Sequence, residues 1–155
     1  MGIFTKLLRD TATDLAYKIG MWGPLCLTYV IGMDLAESLS KQYKLNKLAT
    51  VIKHLPGHGC ASLDSHLKMP KVKLNYKDLN EVDFLPFKSN PSQFAMTAHI
   101  LYEKIDKNNV ATFSKKIISE IIRKKIGFKG ILISDDISMK ALKYDLVTNA
   151  KKSLL

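Results

Sequence analysis

The sequence has few of the features that mark a secreted or membrane-spanning chain. It holds two cysteines, Cys26 and Cys60, which are too few for the disulfide framework of a small secreted domain. Its most apolar stretch, residues 21–33, is interrupted by Gly23 and Pro24 and is shorter than the roughly 20 apolar residues that span a membrane. No charged and apolar leader with a small-residue cleavage site opens the chain. These absences predict a cytoplasmic protein without a membrane partner.

Acidic residues are in the minority. The chain has 14 Asp and Glu against 24 Lys and Arg, which gives a formal net charge of +10 with histidine neutral. A basic surplus can indicate a nucleic-acid partner, because Lys and Arg release counterions from phosphates. Here the lysine pairs at residues 115–116, 124–125 and 151–152 lie on amphipathic segments, without an RNP-like aromatic pattern or zinc-finger spacing. The pattern favours a solvated basic face, so we expect no specific nucleic-acid partner.

The remaining composition, 46% hydrophobic and 25% charged, is that of one globular domain with a core. The clearest helix is predicted over residues 114–126, where isoleucines form one stripe between Ser114 as N-cap and Gly127 as stop. Residues 130–134, which follow, form a continuous apolar run typical of a parallel strand covered on both faces. A further helix is predicted to begin near Ser138.

Two earlier segments repeat this strand, loop and helix arrangement. A strand over residues 50–53 precedes a polar loop and a helix over 77–85, and a strand over 94–97 precedes the loop that leads to the 114–126 helix. Residues 4–19 and 33–45 are predicted to form two more helices. Three strands that alternate with three helices predict a parallel α/β architecture, in which active sites gather at the carboxyl ends of the strands.

Polar side chains end each of the three predicted strands. Lys53 and His54 end the first, His99 ends the second, and Asp135 with Asp136 ends the third. Because the carboxyl ends of parallel strands meet at one edge of the sheet, these groups are expected to converge on a common site.

The loop after the first strand is the densest in reactive groups. A metal site is disfavoured because no zinc spacing matches, and a phosphate cradle because the further glycines and the Lys-Ser/Thr pair are missing. An acid–base site fits better, since Asp64 lies two residues before His66 and can fix the tautomer of its imidazole. The candidate groups of this loop are Lys53, His54, His58, Cys60, Asp64 and His66.

The same loop carries a resemblance to a known family. Residues 53–59 with Asp64-Ser65-His66 and Pro70 resemble the K-H-F/L-P-G-H-G…D-S-H…P signature of bacterial β-N-acetylglucosaminidases of glycoside hydrolase family 3. Later segments resemble further landmarks of that family in the same order over residues 51–141. They are Asp83 with Pro86-Phe87, Met96-Thr97-Ala98-His99, Ser114-Lys115-Lys116, Gly127-Phe128-Lys129-Gly130 and Ser134-Asp135-Asp136-Ile137-Ser138-Met139.

The resemblance implies a (β/α)₈ barrel enzyme that removes terminal N-acetylglucosamine with retention of configuration. Asp135 then matches the nucleophile, although an N-cap role for its carboxylate is the alternative that the residue itself leaves open. The family replaces the second carboxyl group of most retaining glycosidases with a histidine, here His66 paired with Asp64. Lys53 and His54 match the pair that binds sugar hydroxyls. A histidine suits proton transfer near neutral pH, because its ordinary pKa is about 6.5.

The resemblance also implies supporting residues, partners and cofactors. His58 resembles a residue that braces the loop, and His99 is either a support behind the site or a satisfied core histidine. The implied substrates are peptidoglycan fragments or oligosaccharides that carry N-acetylglucosamine, as in cell-wall recycling. No metal and no organic cofactor is implied, because side chains supply the acid, the base and the nucleophile.

The chain departs from the family in length and in its first segment. A full barrel needs about 200 to 250 residues, no arginine follows the V-I-G triplet at residues 30–32, and a D-Q-E-G-G-type segment is absent. We therefore expect one partial catalytic domain over residues 1–155, roughly the C-terminal half of the barrel. Residues 1–48 match the family poorly, 49–141 match it well, and 142–155 form the final helix.

A partial barrel has consequences for activity and association. Exposed strand edges and an uncovered apolar sheet face favour self-association. Truncation also leaves open whether the chain hydrolyses its substrate. The alternative function is a catalytically dead, basic fragment that binds carbohydrate or nucleic acid.

Overall fold

The computed structural model describes residues 24–61, 69–88 and 90–154, with side chains from residue 32 onward. The chain divides into two compact units, Met1–Lys47 and Leu48–Leu155. The helix predicted over residues 4–19 lies outside the described residues. The first unit contributes one described helix, α1 (Pro24–Leu45), which starts well before the predicted residue 33 and has a proline in its first turn. None of the helices in the described ranges is long and apolar enough to cross a membrane.

The second unit contains the alternating strands and helices that the sequence predicts. In chain order it comprises β1 (Val51–Leu55), β2 (Lys71–Val72), α2 (Tyr76–Glu81), a 3₁₀ turn (Leu85–Phe87), β3 (Phe94–Thr97), β4 (Leu101–Tyr102), a second 3₁₀ turn (Ala111–Phe113), α3 (Ile117–Ile126), β5 (Ile131–Ser134) and α4 (Leu146–Ser153).

The main sheet is parallel and has the order β1-β3-β5. Each strand of this sheet therefore pairs with the next strand of the same sheet along the chain, after a crossover that contains α2 or α3. The pairing of β1 with β3 shifts between Lys53 and Leu55. The short strands β2 and β4 form a separate parallel pair. The predicted parallel α/β arrangement is confirmed for this unit.

The two faces of the main sheet have different environments. Ile52, Ala95 and Leu132 lie in register on one face, where they pack with the buried isoleucines of α3. On the opposite face Ile131 and Ile133 are 58% and 36% exposed. The prediction that β5 is covered on both faces is therefore wrong in this structure. The two crossover helices pack on one side only, and among the described residues of the second unit no layer covers the other side.

The helices differ from their predicted bounds for local reasons. The α3 helix is wound as a π-helix; the Ser114 hydroxyl accepts the Ile117 N–H at 3.1 Å, and the left-handed Gly127 ends the helix as predicted. The α2 helix stops at Glu81; residues 82–84 form a turn, and the 3₁₀ turn begins only at Leu85, the last residue of the predicted helix.

The last helix begins later than the sequence predicts. Residues 137–141 form turns, so the expected start near Ser138 is wrong. The Asp136 carboxylate holds Ser138 in a turn, whereas Asp145 caps α4 by accepting the Thr148 N–H at 3.0 Å. The chain therefore has two acidic turn and cap signals in this region, and the second one starts the helix.

Candidate active site

The predicted site residues of the first and third strands meet at the carboxyl end of the main sheet. His54 lies near the end of β1, and Asp135 directly follows β5. The His54 Nε2 and Asp135 Oδ2 atoms are 3.4 Å apart, although β3 lies between the two strands. Lys53 is exposed on the uncovered sheet face, in register with Met96 and Ile133. The structure therefore brings His54 and Asp135 together as a pair.

Burial and charge act in opposite directions on His54. Its side chain is 28% exposed, and burial lowers its pKa below the ordinary value of 6.5. The Asp135 carboxylate raises the pKa, while the neighbouring charges of Lys53 and His58 lower it. Because burial is the largest effect, the imidazole is mainly neutral near neutral pH. A neutral imidazole beside a carboxylate can donate one hydrogen bond to a ligand hydroxyl group and accept another from it.

The adjacent carboxylates of Asp135 and Asp136 have different surroundings. Asp136 Oδ1 accepts hydrogen bonds from the Ser138 N–H at 2.8 Å and the Ser138 hydroxyl at 2.7 Å. Asp135 Oδ1 accepts the Asp136 N–H at 2.9 Å, and its Oδ2 faces His54. Asp136 thus closes the turn after β5, while Asp135 keeps one oxygen toward the candidate site.

His99 lies behind this turn and is 1% exposed. Its Nε2 is 3.0 Å from the Asp136 carbonyl oxygen, and its Nδ1 is 2.8 Å from the Thr112 hydroxyl. Burial is the main cause that lowers its pKa, which favours the neutral ring. A carbonyl oxygen only accepts, so in the neutral ring Nε2 carries the proton and Nδ1 is an acceptor for the Thr112 hydroxyl, which also donates to the Ala98 carbonyl oxygen at 3.1 Å. His99 is thus a satisfied buried histidine that also holds the backbone next to Asp135.

Residues 56–60, which we call the glycine loop, follow β1. The His58 ring centroid lies 5.9 Å from that of His54, in an edge-to-face arrangement. The Cys60 N–H donates to Asp83 Oδ2 at 3.3 Å, and the Tyr102 hydroxyl donates to the Gly57 carbonyl oxygen. The sequence offered Asp83 only as part of a family pattern and gave no signal for Tyr102, because neither lies next to the loop in the chain.

Asp64 and His66, the predicted acid–base pair, lie in residues 62–68, outside the described residues. The structure therefore tests neither their distance from Asp135 nor their contact with each other. In the ranges that the structure describes, no three His, Cys, Asp or Glu side chains are grouped so that they could hold a metal ion.

Comparisons with known proteins match most of the chain. The glycosyl hydrolase family 3 N terminal domain matches residues 24–154. The beta-hexosaminidase of Shewanella frigidimarina is 36% identical over 124 residues, which are 77% of this chain and 33% of that protein. The beta-hexosaminidase of Methylobacillus flagellatus is 36% identical over 110 residues, which are 69% of this chain and 31% of that protein. The chain thus spans about a third of the length of these curated relatives.

Solved structures give the same result. NagZ from Neisseria gonorrhoeae, solved in complex with N-trifluoroacetyl-D-glucosamine, superposes with a TM-score of 0.68 at 32% identity. That alignment covers 84% of this chain and 37% of NagZ. CbsA from Thermotoga neapolitana superposes with a TM-score of 0.71 at 33% identity, over 83% of this chain and 30% of CbsA.

Proposed function

The chain belongs to the glycosyl hydrolase family 3 N-terminal domain family, and on this premise we propose that it is a retaining exo-β-N-acetylglucosaminidase. The observation that carries the proposal is the pairing of His54 with Asp135 at the carboxyl end of the parallel sheet. The proposal is also supported by relatives named beta-hexosaminidase that match more than two thirds of the chain.

In the proposed reaction Asp135 is the nucleophile. One carboxylate oxygen attacks the anomeric carbon and forms a glycosyl-enzyme ester, while the bond to the leaving oxygen breaks. Water then attacks the same carbon and regenerates the carboxylate, so two inversions give net retention. The position of Asp135 suits this role, because its neighbour Asp136 takes the turn-closing hydrogen bonds.

The remaining predicted residues assist this carboxylate. His66, paired with Asp64, donates a proton to the leaving oxygen and then accepts one from the attacking water. Lys53 and His54 bind hydroxyl groups of the sugar, and the 3.4 Å between His54 Nε2 and Asp135 Oδ2 supports a contact of His54 near the carbon that Asp135 attacks. His99 holds the Asp136 backbone, and His58 braces the glycine loop.

We further propose that the chain is a piece of a (β/α)₈ barrel. Two features support this: the strands follow one another in the order β1-β3-β5, and their crossover helices pack on the same sheet face. The uncovered face then corresponds to a barrel interior, and self-association through this face and the strand edges is expected.

The proposed substrates are terminal N-acetylglucosamine residues of peptidoglycan fragments, processed in the cytoplasm. A relative solved with an N-acylated glucosamine supports the sugar, since the chain aligns with it over 84% of its residues. The aglycone and the location stay predictions.

Hydrolysis of 4-nitrophenyl N-acetyl-β-D-glucosaminide by the purified protein tests the proposal. We expect turnover that Asp135→Asn reduces by several orders of magnitude and that His66→Ala also lowers. Asp136→Asn is the matched control, because it removes the adjacent carboxylate and should reduce turnover far less.

Absence of turnover by folded protein would favour the second candidate, a catalytically dead fragment that binds carbohydrate or nucleic acid. The basic surplus of the chain, a formal net charge of +10, is the observation that favours that candidate. Binding to N-acetylglucosamine oligomers would then identify a carbohydrate-binding fragment, and a steep salt-dependent affinity for DNA would identify a nucleic-acid binder.

A further inference from the structure

The glycine loop, residues 56–60, links the two parts of the proposed catalytic apparatus. It begins where β1 ends, directly after Lys53 and His54, and it leads into residues 62–68, which carry Asp64 and His66. Its position therefore affects both the residues that bind the sugar and the residues that transfer the proton. The residues that hold this loop in place, Asp83 and Tyr102, are different from the residues proposed to react.

Asp83 lies so close to the loop that the positions of Gly57 and Gly59 have no room for a larger side chain. A Cβ atom built on Gly57 would lie 2.6 Å from the Asp83 Cβ and 2.8 Å from its carbonyl oxygen. A Cβ on Gly59 would lie 3.0 Å from Asp83 Oδ1. The other carboxylate oxygen, Oδ2, accepts the Cys60 N–H at 3.3 Å. The loop backbone thus wraps around one carboxylate.

Tyr102 holds the same loop from a different element. Its side chain is fully buried, and its hydroxyl donates to the Gly57 carbonyl oxygen. Phe84, the neighbour of Asp83 in the chain, is also fully buried and packs edge-to-face on the Tyr102 ring at 6.3 Å between centroids. The contact between Phe84 and Tyr102 therefore links Asp83 and Tyr102, the two residues that hold the loop, through the core.

The burial of the Asp83 carboxylate indicates a role beyond packing. Asp83 is 4% exposed, and burial raises its pKa although hydrogen bonds from Cys60 lower it. Burial and the Asp83 carboxylate together raise the pKa of the Cys60 thiol to about 12. Burying a carboxylate is costly unless hydrogen bonds compensate, and apolar side chains could fill a purely structural position at lower cost.

We propose that Asp83 and Tyr102 are positioning residues for the glycosidase reaction: together they fix the glycine loop, which connects Lys53 and His54 in the chain to the acid–base pair Asp64 and His66. This inference rests on the proposed function. It predicts that either anchor acts on proton transfer to the leaving group and much less on attack by Asp135.

The first experiment measures the loop itself and does not depend on activity. In a Cys26→Ser background labelled with ¹⁵N-cysteine, the Cys60 amide gives a single NMR signal whose hydrogen exchange reports on the loop. We expect Asp83→Ala and Tyr102→Phe each to accelerate this exchange about tenfold or more, because the backbone loses a buried partner. Tyr102→Phe is the more informative change, because Tyr102 does not itself bond the Cys60 amide.

Matched controls are available on α2. Asp78→Asn removes a carboxylate whose charge also reaches Cys60, and Tyr76→Phe removes an exposed hydroxyl that bonds Asn80 at 3.2 Å. Neither group bonds the glycine loop, so Cys60 exchange should stay at the level of the unsubstituted protein. Equal exchange in Tyr102→Phe and Tyr76→Phe would overturn the shared anchoring.

The second experiment separates positioning from general damage. Aryl N-acetylglucosaminides with good leaving groups need little acid assistance, whereas poor leaving groups need much. We expect Asp83→Ala and Tyr102→Phe to lower kcat for the poor leaving group about tenfold more than for the good one, with KM little changed. An equal loss on both substrates would overturn the positioning role.

A negative result in each experiment contradicts a different statement. If the unsubstituted protein hydrolyses neither substrate, the proposed function is contradicted, and with it the positioning role in that reaction. The Cys60 exchange would still decide whether Asp83 and Tyr102 anchor the loop.

Discussion

His54 and Asp135 lie 3.4 Å apart although their strands are separated by β3. Residues 81 positions apart in the chain become neighbours because each follows or ends a parallel strand at the same edge of the sheet. The distance is longer than an ordinary hydrogen bond, so the pair is held by the backbone positions of β1 and the turn after β5 rather than by a strong bond between the side chains. A hydroxyl group of a bound molecule can therefore bond to either partner without breaking a tight ion pair.

Removal of the Asp135 charge is expected to lower the pKa of His54 further. Burial already lowers that pKa, and the Asp135 carboxylate is the main group that counters the effect. In Asp135→Asn the countering charge is lost, so the imidazole is protonated only at lower pH. NMR titration of the His54 ring protons measures this shift. Asp136→Asn should leave the His54 titration nearly unchanged, and an equal shift in both variants would contradict the assigned pairing.

His99 is expected to make the stability of the protein depend on pH. Burial lowers its pKa in the folded state below the ordinary value of 6.5, so the unfolded chain binds a proton first as pH falls. The neutral ring thus contributes stability that is present above 6.5 and is lost as pH falls toward the lower, folded-state pKa. His54 acts in the same direction, whereas Asp83 opposes it because its pKa is raised.

The measurement compares urea unfolding of the unsubstituted protein and His99→Gln at several pH values between about 5 and 8. We expect the variant to be less stable at the upper end by about 1 to 3 kcal/mol, since the glutamine amide lacks the ring geometry that bonds the Asp136 carbonyl oxygen and the Thr112 hydroxyl at the same time. The difference should shrink as pH falls. A difference that stays constant over this range would contradict a buried neutral His99.

The sequence was informative where the pattern is local. The strand at 94–97 has its predicted bounds, and Gly127 ends α3 as its conformational freedom suggests. The start of α4 was not predictable in this way, because Asp136 and Asp145 offer similar local signals and the choice depends on what packs around them. The exposed face of β5 escaped prediction for a related reason, since a run of apolar residues does not say how many layers cover it.

The candidate site shows the same limit. Positions of His54 and Asp135 at strand ends follow from the alternation of strands and helices, and so does their proximity. The contacts of Asp83 and Tyr102 with the glycine loop join residues 23 and 45 positions apart, and no periodicity encodes them. Such contacts become visible only when the packing of α2 and β4 around the loop is known.

Gly57→Ala is expected to destabilise the protein by steric overlap, in addition to the backbone strain of a side chain at its φ of +155°. The added Cβ would meet the Asp83 backbone oxygen at 2.8 Å, and backbone cannot rotate away as a flexible side-chain end can. The expected loss is about 1 to 3 kcal/mol of unfolding free energy, the usual cost of overpacking. Chemical denaturation measures it.

Gly127→Ala is the matched control for Gly57→Ala. Gly127 has a φ of +81° but no atom within 4 Å of its added Cβ, so its cost arises from the backbone conformation alone. We expect that cost to be about 1 kcal/mol. If Gly57→Ala cost no more than Gly127→Ala, the close approach of Asp83 to the loop would be contradicted.

The uncovered face of the main sheet is expected to cause self-association. Val51, Ile131 and Ile133 are 47%, 58% and 36% exposed there, on a sheet whose edge strands β1 and β5 have no further partner strand within the described residues. Ile131→Glu places a charge on this face, on the edge strand β5, and should shift the protein toward monomer. Sedimentation velocity over a range of concentrations measures the change.

Val147→Glu is the control, since Val147 is 63% exposed on α4, outside the main sheet, and should leave association unaltered. If the unsubstituted protein were a monomer at every concentration, the argument from the open face would be wrong, because an apolar surface of this kind would then be stable in water without a partner.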